Sequence, residues 1–147
     1  MSSLFWNETH EELRQFAREW VSKHITPHAE RWEEAGIFPI ELYQEAGESG
    51  ILGVDYAEEY GGMGGDIFHS LIVTEELIRG GSSGTAVGLG SHSITSPPIL
   101  ALGSEEQKQR FIPPMVSGQK IGALAASEPD AGSDVARRGR GVLGSSI

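Results

Sequence analysis

Residues 126–134 read ASEPDAGSD, a run that concentrates hydroxyls, carboxylates and glycine in one short polar stretch. Gly132 beside Ser133 can leave successive backbone N–H groups pointing the same way. Such a nest binds anions, and the Ser133 hydroxyl adds a further donor. The carboxylates of Glu128, Asp130 and Asp134 must then point elsewhere or act as local caps. A surface turn with an acidic rim, shaped by Pro129 and Gly132, explains the same residues. Spacing alone leaves both readings open.

Other chemistry is sparse. His10, His24, His28, His69 and His92 are scattered, and no pair combines helical metal-ligand spacing with a carboxylate, so no metal site is expected. Ser91, Ser93, Ser96 and Ser133 lack histidine and aspartate partners in a nucleophilic arrangement. With no cysteine in the chain, disulfides, thiolate metal sites and cysteine nucleophiles are excluded. Glu58, Glu59, Glu75, Glu76, Glu105, Glu106 and Glu128 read as caps or solvated faces. Trp6, Trp20 and Trp32 read as core or interface anchors.

The elements that must position this loop are helical. The 147 residues suffice for one core, and a net charge of -10 would repel nucleic acid phosphates and anionic headgroups. No apolar run approaches a membrane span and the start has no secretory pattern, so a soluble cytoplasmic protein is expected. Thr9 and Glu12 have capping-box spacing, with Leu13, Phe16, Ala17, Trp20, Val21 and His24 at helical intervals up to Pro27. Pro27 and Gly36 bound a second helix, and Pro39 opens a third through Leu42, Tyr43 and Ala46. Four glycines around Met63 make an ordered loop or hinge. Asp66 then caps a helix whose apolar positions Ile67, Leu71, Ile72, Leu77 and Ile78 form a broad face, closed by Gly80-Gly81. The run SSGTAVGLGSHSIT reads as a flexible loop or as a helix with a small-residue face; Val87, Leu89 and Ile94 favour the helix, kinked or ended by Pro97-Pro98. Ser104 and Gln107 cap a further helix carrying Phe111, Ile112 and Met115, its pattern broken by Pro113-Pro114 and Gly118. KIGALAA, from Lys120, reads as a strand.

Three stretches in order, GILGVDYAEEYGGMGGD, GSEEQKQRFIPPMVSGQKIG and ALAASEPDAGSDVA, resemble the amino-terminal part of the acyl-CoA dehydrogenase family. The stretch PHAERWEEAGIFPIELYQEAGESGILGV resembles its long-chain-type branch. The resemblance implies a helical amino-terminal domain, then a β domain and a carboxy-terminal bundle, with FAD between the last two. It implies that Leu124, Ala125, Ala126 and Ser127 run beside the flavin, and that Gly132 and Ser133 contact the pyrophosphate. Ser133 would also border the acyl-CoA substrate. Where relatives usually have threonine, Ser127 keeps the hydroxyl. The implied reaction is α,β-desaturation of an acyl-CoA thioester with hydride transfer to FAD, electron-transfer flavoprotein as electron acceptor, and a homo-oligomeric assembly. The family's base is a glutamate of the carboxy-terminal bundle, and no glutamate here matches it, so no catalytic residue is assigned.

The expected fold class is therefore all-α: a helical domain over 1–118, and the first strand of an otherwise missing β domain over 119–136. Residues 137–147 form an atypical tail, expected to be disordered. Its change of composition at Arg137 reads as truncation or a frame shift of a longer gene after Ala136. The competing functional reading is a non-catalytic helical interaction module derived from the same scaffold.

Overall fold

The computed structural model describes residues 6–125, in which all regular structure is helical. Helix α1 spans Glu8–His24, α2 Ala29–Ala35, α3 Glu41–Glu48, α4 Ile67–Arg79, α5 Ser83–Leu89, α6 His92–Leu102 and α7 Glu105–Val116. The all-α expectation holds for these residues. Residues 121–125 carry neither helix nor ladder bonding, and the rest of the expected strand lies outside the described residues.

The core is a two-helix seam with further elements laid against it. Leu13, Ala17, Trp20 and Val21 of α1 pack with Ile72, Val73 and Leu77 of α4, and Ile25, Trp32, Leu42, Tyr43, Ala46, Ala86 and Leu89 join the same cluster. Phe16, expected on this stripe, is 42% exposed because α4 covers only one side of α1. The broad apolar face expected of α4 is narrower for the same reason: Ile67, Leu71 and Ile78 are exposed. The buried stripe takes Glu76 instead, which corrects its reading as a cap or solvated residue.

Local signals explain most boundaries. Asp66 caps α4 as expected, and Ser104 closes a capping box with Gln107 at the start of α7. Gly36 ends α2 at φ 67°, a left-handed value that suits glycine. At α1 the box starts two residues earlier than expected: Asn7, not Thr9, is the cap. Its side chain accepts from the His10 N–H, while His10 Nδ1 accepts from the Asn7 N–H.

Both proline pairs sit inside helices rather than ending them. In α6, hydroxyls near the prolines bond to carbonyls of the opening turn, Thr95 to Ser91 and Ser96 to His92. In α7, the carbonyls of Pro113 and Pro114 still accept, from the N–H groups of Ser117 and Lys120. A proline removes only its own N–H, so a helix backed by such bonds can continue past it.

Candidate functional site

Of the residues that the sequence singles out, Leu124 and Ala125 lie within the described structure, and both are exposed. Ala126, Ser127, Gly132 and Ser133 lie outside the described residues. What the fold does show is how the chain is delivered to them. After α7, the Lys120 N–H donates to the Pro114 carbonyl at 2.9 Å, which turns the chain back. Gly118, at φ 72°, passes so close to α3 that a Cβ there would lie 1.9 Å from the Tyr43 carbonyl oxygen. Gly122 then runs against both α6 and α7, where a Cβ would lie 2.2 Å from Thr95 Oγ1 and 2.5 Å from Met115 Cε. Beyond this crossing Leu124 is 61% exposed, an apolar side chain presented with nothing described over it.

The crossing also borders a cavity of about 400 Å³ lined by Trp32, Ile37, Phe38, Ile40, Tyr43 and Ile121 among others. Its one carboxylate, Glu33, is already engaged: it accepts from the Gly84 N–H at 2.9 Å and the Ser82 hydroxyl at 2.8 Å. These bonds hold its carboxyl below the ordinary range, the Gly84 N–H contributing most. Sequence reasoning missed this cavity, because its walls come from α2, the turn before α3, and α5. On the outer side of α5 and α6, Val87 and Ile94 are exposed, 71% and 56%. The small-residue run thus forms two helices parted at Gly90-Ser91, rather than the single helix expected, with an uncovered apolar face. Behind it His92 is 3% exposed, and burial pushes its imidazole toward the neutral form.

Packing of α1 on α4 gathers histidines that sequence spacing left scattered. His10, Asp66 and His69 place possible ligand atoms within 4.8 Å of one another. His10 Nδ1 accepts from the Asn7 N–H, so a neutral ring carries its proton on Nε2, which faces Asp66 Oδ1 at 3.5 Å. His69 Nδ1 lies 2.7 Å from the same oxygen. The Asp66 N–H also donates to His69 Nδ1 at 3.1 Å, so these side chains close the first turns of α1 and α4 and meet where the two helices start. A second group that the sequence did not reveal is Glu76, 1% exposed and bonded to Arg14 and Arg18. Its place three residues after Val73 and four after Ile72 was the available signal, since it falls on the buried stripe of α4.

The helical order and the glycine crossings define an all-α domain from which residues 121–125 emerge without helix or ladder bonding. Residues 7–119 match the family model described as acyl-CoA dehydrogenase, N-terminal domain. The chain belongs to the acyl-CoA dehydrogenase family. It is 42% identical over 131 residues to the long-chain specific acyl-CoA dehydrogenase, mitochondrial, of Sus scrofa, covering 88% of this chain and 30% of that protein. The crystal structure of acyl-CoA dehydrogenase from Geobacillus kaustophilus superposes with a TM-score of 0.85 at 39% identity, over 92% of this chain and 36% of that one. Acyl-CoA dehydrogenase complexed with FAD from Bacillus anthracis gives a TM-score of 0.80 at 31% identity, over 94% and 24%. The chain thus spans about a third of the length of the relatives it matches. Among the described residues, no helix is long and apolar enough to cross a membrane.

Proposed function

We propose that this chain is the amino-terminal portion of a flavin-dependent acyl-CoA dehydrogenase, working in the cytoplasm on acyl-CoA thioesters. The observation that carries the reading is the family match over residues 7–119, followed at once by the segment that emerges at Leu124. Segment 119–136 begins the β domain. Backbone of Leu124, Ala125, Ala126 and Ser127 lines the flavin, and Gly132 and Ser133 hold the pyrophosphate, with Ser133 also at the acyl-CoA.

The described residues fit that role. Leu124 and Ala125 are exposed, and no hydrogen bond between backbone groups ties residues 121–125 to another described residue, so their N–H and C=O groups are available to a polar ring edge. The exposed apolar side chain of Leu124 suits the face of a flat aromatic ring. FAD, when bound, would accept the hydride that leaves the acyl β carbon. The uncovered face at Val87 and Ile94 offers apolar surface to the acyl chain. Electron-transfer flavoprotein takes the electrons onward, and the assembled enzyme is a homo-oligomer. The base that removes the α proton is supplied by polypeptide that this sequence does not contain, so the chain alone is catalytically incomplete.

The test compares the 147-residue chain with the same chain joined to the β and bundle domains of a relative, each incubated with FAD and an acyl-CoA. Acyl-CoA should bleach the flavin of the joined protein only. Turnover by the chain alone would overturn the proposal.

A further inference from the structure

The Gly122 crossing has a rigid side and a soft side, and the difference has consequences for the segment beyond it. A Cβ at position 122 would meet Thr95 Oγ1 at 2.2 Å and Thr95 Cβ at 3.2 Å, and Met115 Cε at 2.5 Å. Met115 presents the far end of an unbranched side chain, which can rotate away. Thr95 cannot do so as readily. It is β-branched and helical, and its hydroxyl lies 3.3 Å from the Ser91 carbonyl and 3.4 Å from the His92 carbonyl, contacts that hold Oγ1 against its own helix. Any side chain at 122 would therefore move the segment away from α6. The displacement would be carried directly to Leu124 and Ala125, which no described backbone bond holds in place.

We propose that Gly122 is a positioning residue for the segment that meets the flavin, and that Thr95 of α6 is the stop against which it seats. The proposal rests on the functional reading above for the identity of the ligand, but not for the seating itself. Ile94, next to Thr95, belongs to the uncovered apolar face. One turn of α6 thus contributes both to the surface proposed for the acyl chain and to the stop for the flavin segment. Relative placement of the two reactants then depends on the approach of Gly122 to Thr95.

Three forms of the 147-residue chain separate seating from folding: the parent, Gly122→Ala, and Gly122→Ala combined with Thr95→Ala. The double variant removes Oγ1 and leaves Cβ at 3.2 Å, a gap that small adjustments accommodate. Amide chemical shifts should change at 121–125 in Gly122→Ala, stay at parent values across α1 and α4, and return toward the parent in the double variant. FAD affinity of the joined protein described above should fall about tenfold or more in Gly122→Ala, as expected when a binding element is misplaced by about 1 Å, and recover in the double variant. Unchanged shifts at 121–125 in Gly122→Ala, or the same shift changes in the double variant, would overturn the seating whether or not FAD binds. Shift changes with rescue, but no FAD binding by any form, would uphold the seating and sink the flavin assignment instead.

Discussion

Arg18 grips Glu76 through two hydrogen bonds, from Nε to Oε2 at 3.0 Å and from Nη2 to Oε1 at 2.9 Å, and so fastens α1 to α4 across the core seam. Arg14 Nη1 reaches the same carboxylate at 3.3 Å, and Arg79 Nε lies 3.8 Å away. Glu76 is 1% exposed, so these cations replace the water it lost. The Arg18 hydrogen bonds are the largest cause holding its carboxyl below the ordinary value of 4.5.

Glu76→Gln keeps the shape and removes the charge. It should lower stability by about 1.5–3 kcal/mol, the range for hydrogen bonds to charged groups. Urea unfolding should show a lower midpoint with an unchanged slope. A midpoint equal to the parent's would mean that the arginines contribute no net stability at this site.

Acid should act through Asp66. Its carboxyl is lowered from 3.8 to about 2, first by the hydrogen bond with His69 and then by the backbone N–H groups of His69 and Phe68, against the opposing effect of burial. A folded value below the unfolded one means stability that is present above pH 3.8 and lost as pH falls through about 2. Helical circular dichroism followed down through this window should fall less steeply for Asp66→Asn than for the parent. Parallel curves would remove Asp66 from the account.

The first helix offers a direct comparison between two candidate caps. Asn7→Ala breaks the reciprocal bonds with His10 and should cost about 1 kcal/mol. Thr9 donates only to the exposed Asn7 side chain, so Thr9→Ala should stay within about 0.5 kcal/mol of the parent. Thermal melts of the two variants decide the matter, and the opposite order would restore Thr9 as the cap.

Gly47 sets two effects against each other. Alanine in a helix interior gains up to about 1 kcal/mol of propensity over glycine. Yet a Cβ at Gly47 would lie 2.3 Å from both the carbonyl carbon and the oxygen of Ser117, backbone atoms that cannot rotate aside. Overpacking typically costs about 1–3 kcal/mol, so Gly47→Ala should be net destabilising in chemical denaturation. A stabilised variant would show that the α3 contact with the end of α7 is loose.

Legibility followed the range of the forces involved. Asp66, Ser104 and Gly36 do their work within a turn of their own position, so caps and left-handed turns could be read directly. The proline pairs misled because the loss of an N–H is visible in sequence, whereas the surrounding bonds from Thr95, Ser96, Ser117 and Lys120 depend on the folded helix. Phe16 misled because periodicity tells which residues share a face but not how wide a neighbour covers it.

Helix content came from short-range pattern in the chain and the family resemblance from three motifs in order, while the candidate flavin residues Leu124 to Ser127, Gly132 and Ser133 are what that resemblance implies. Tertiary structure alone decided that Glu76 is buried among arginines, that His10, Asp66 and His69 meet, and that Gly122 comes close to Thr95. Each of these joins residues from different helices or segments. Their energies depend on distance and desolvation between those elements, quantities that exist only once the helices have packed.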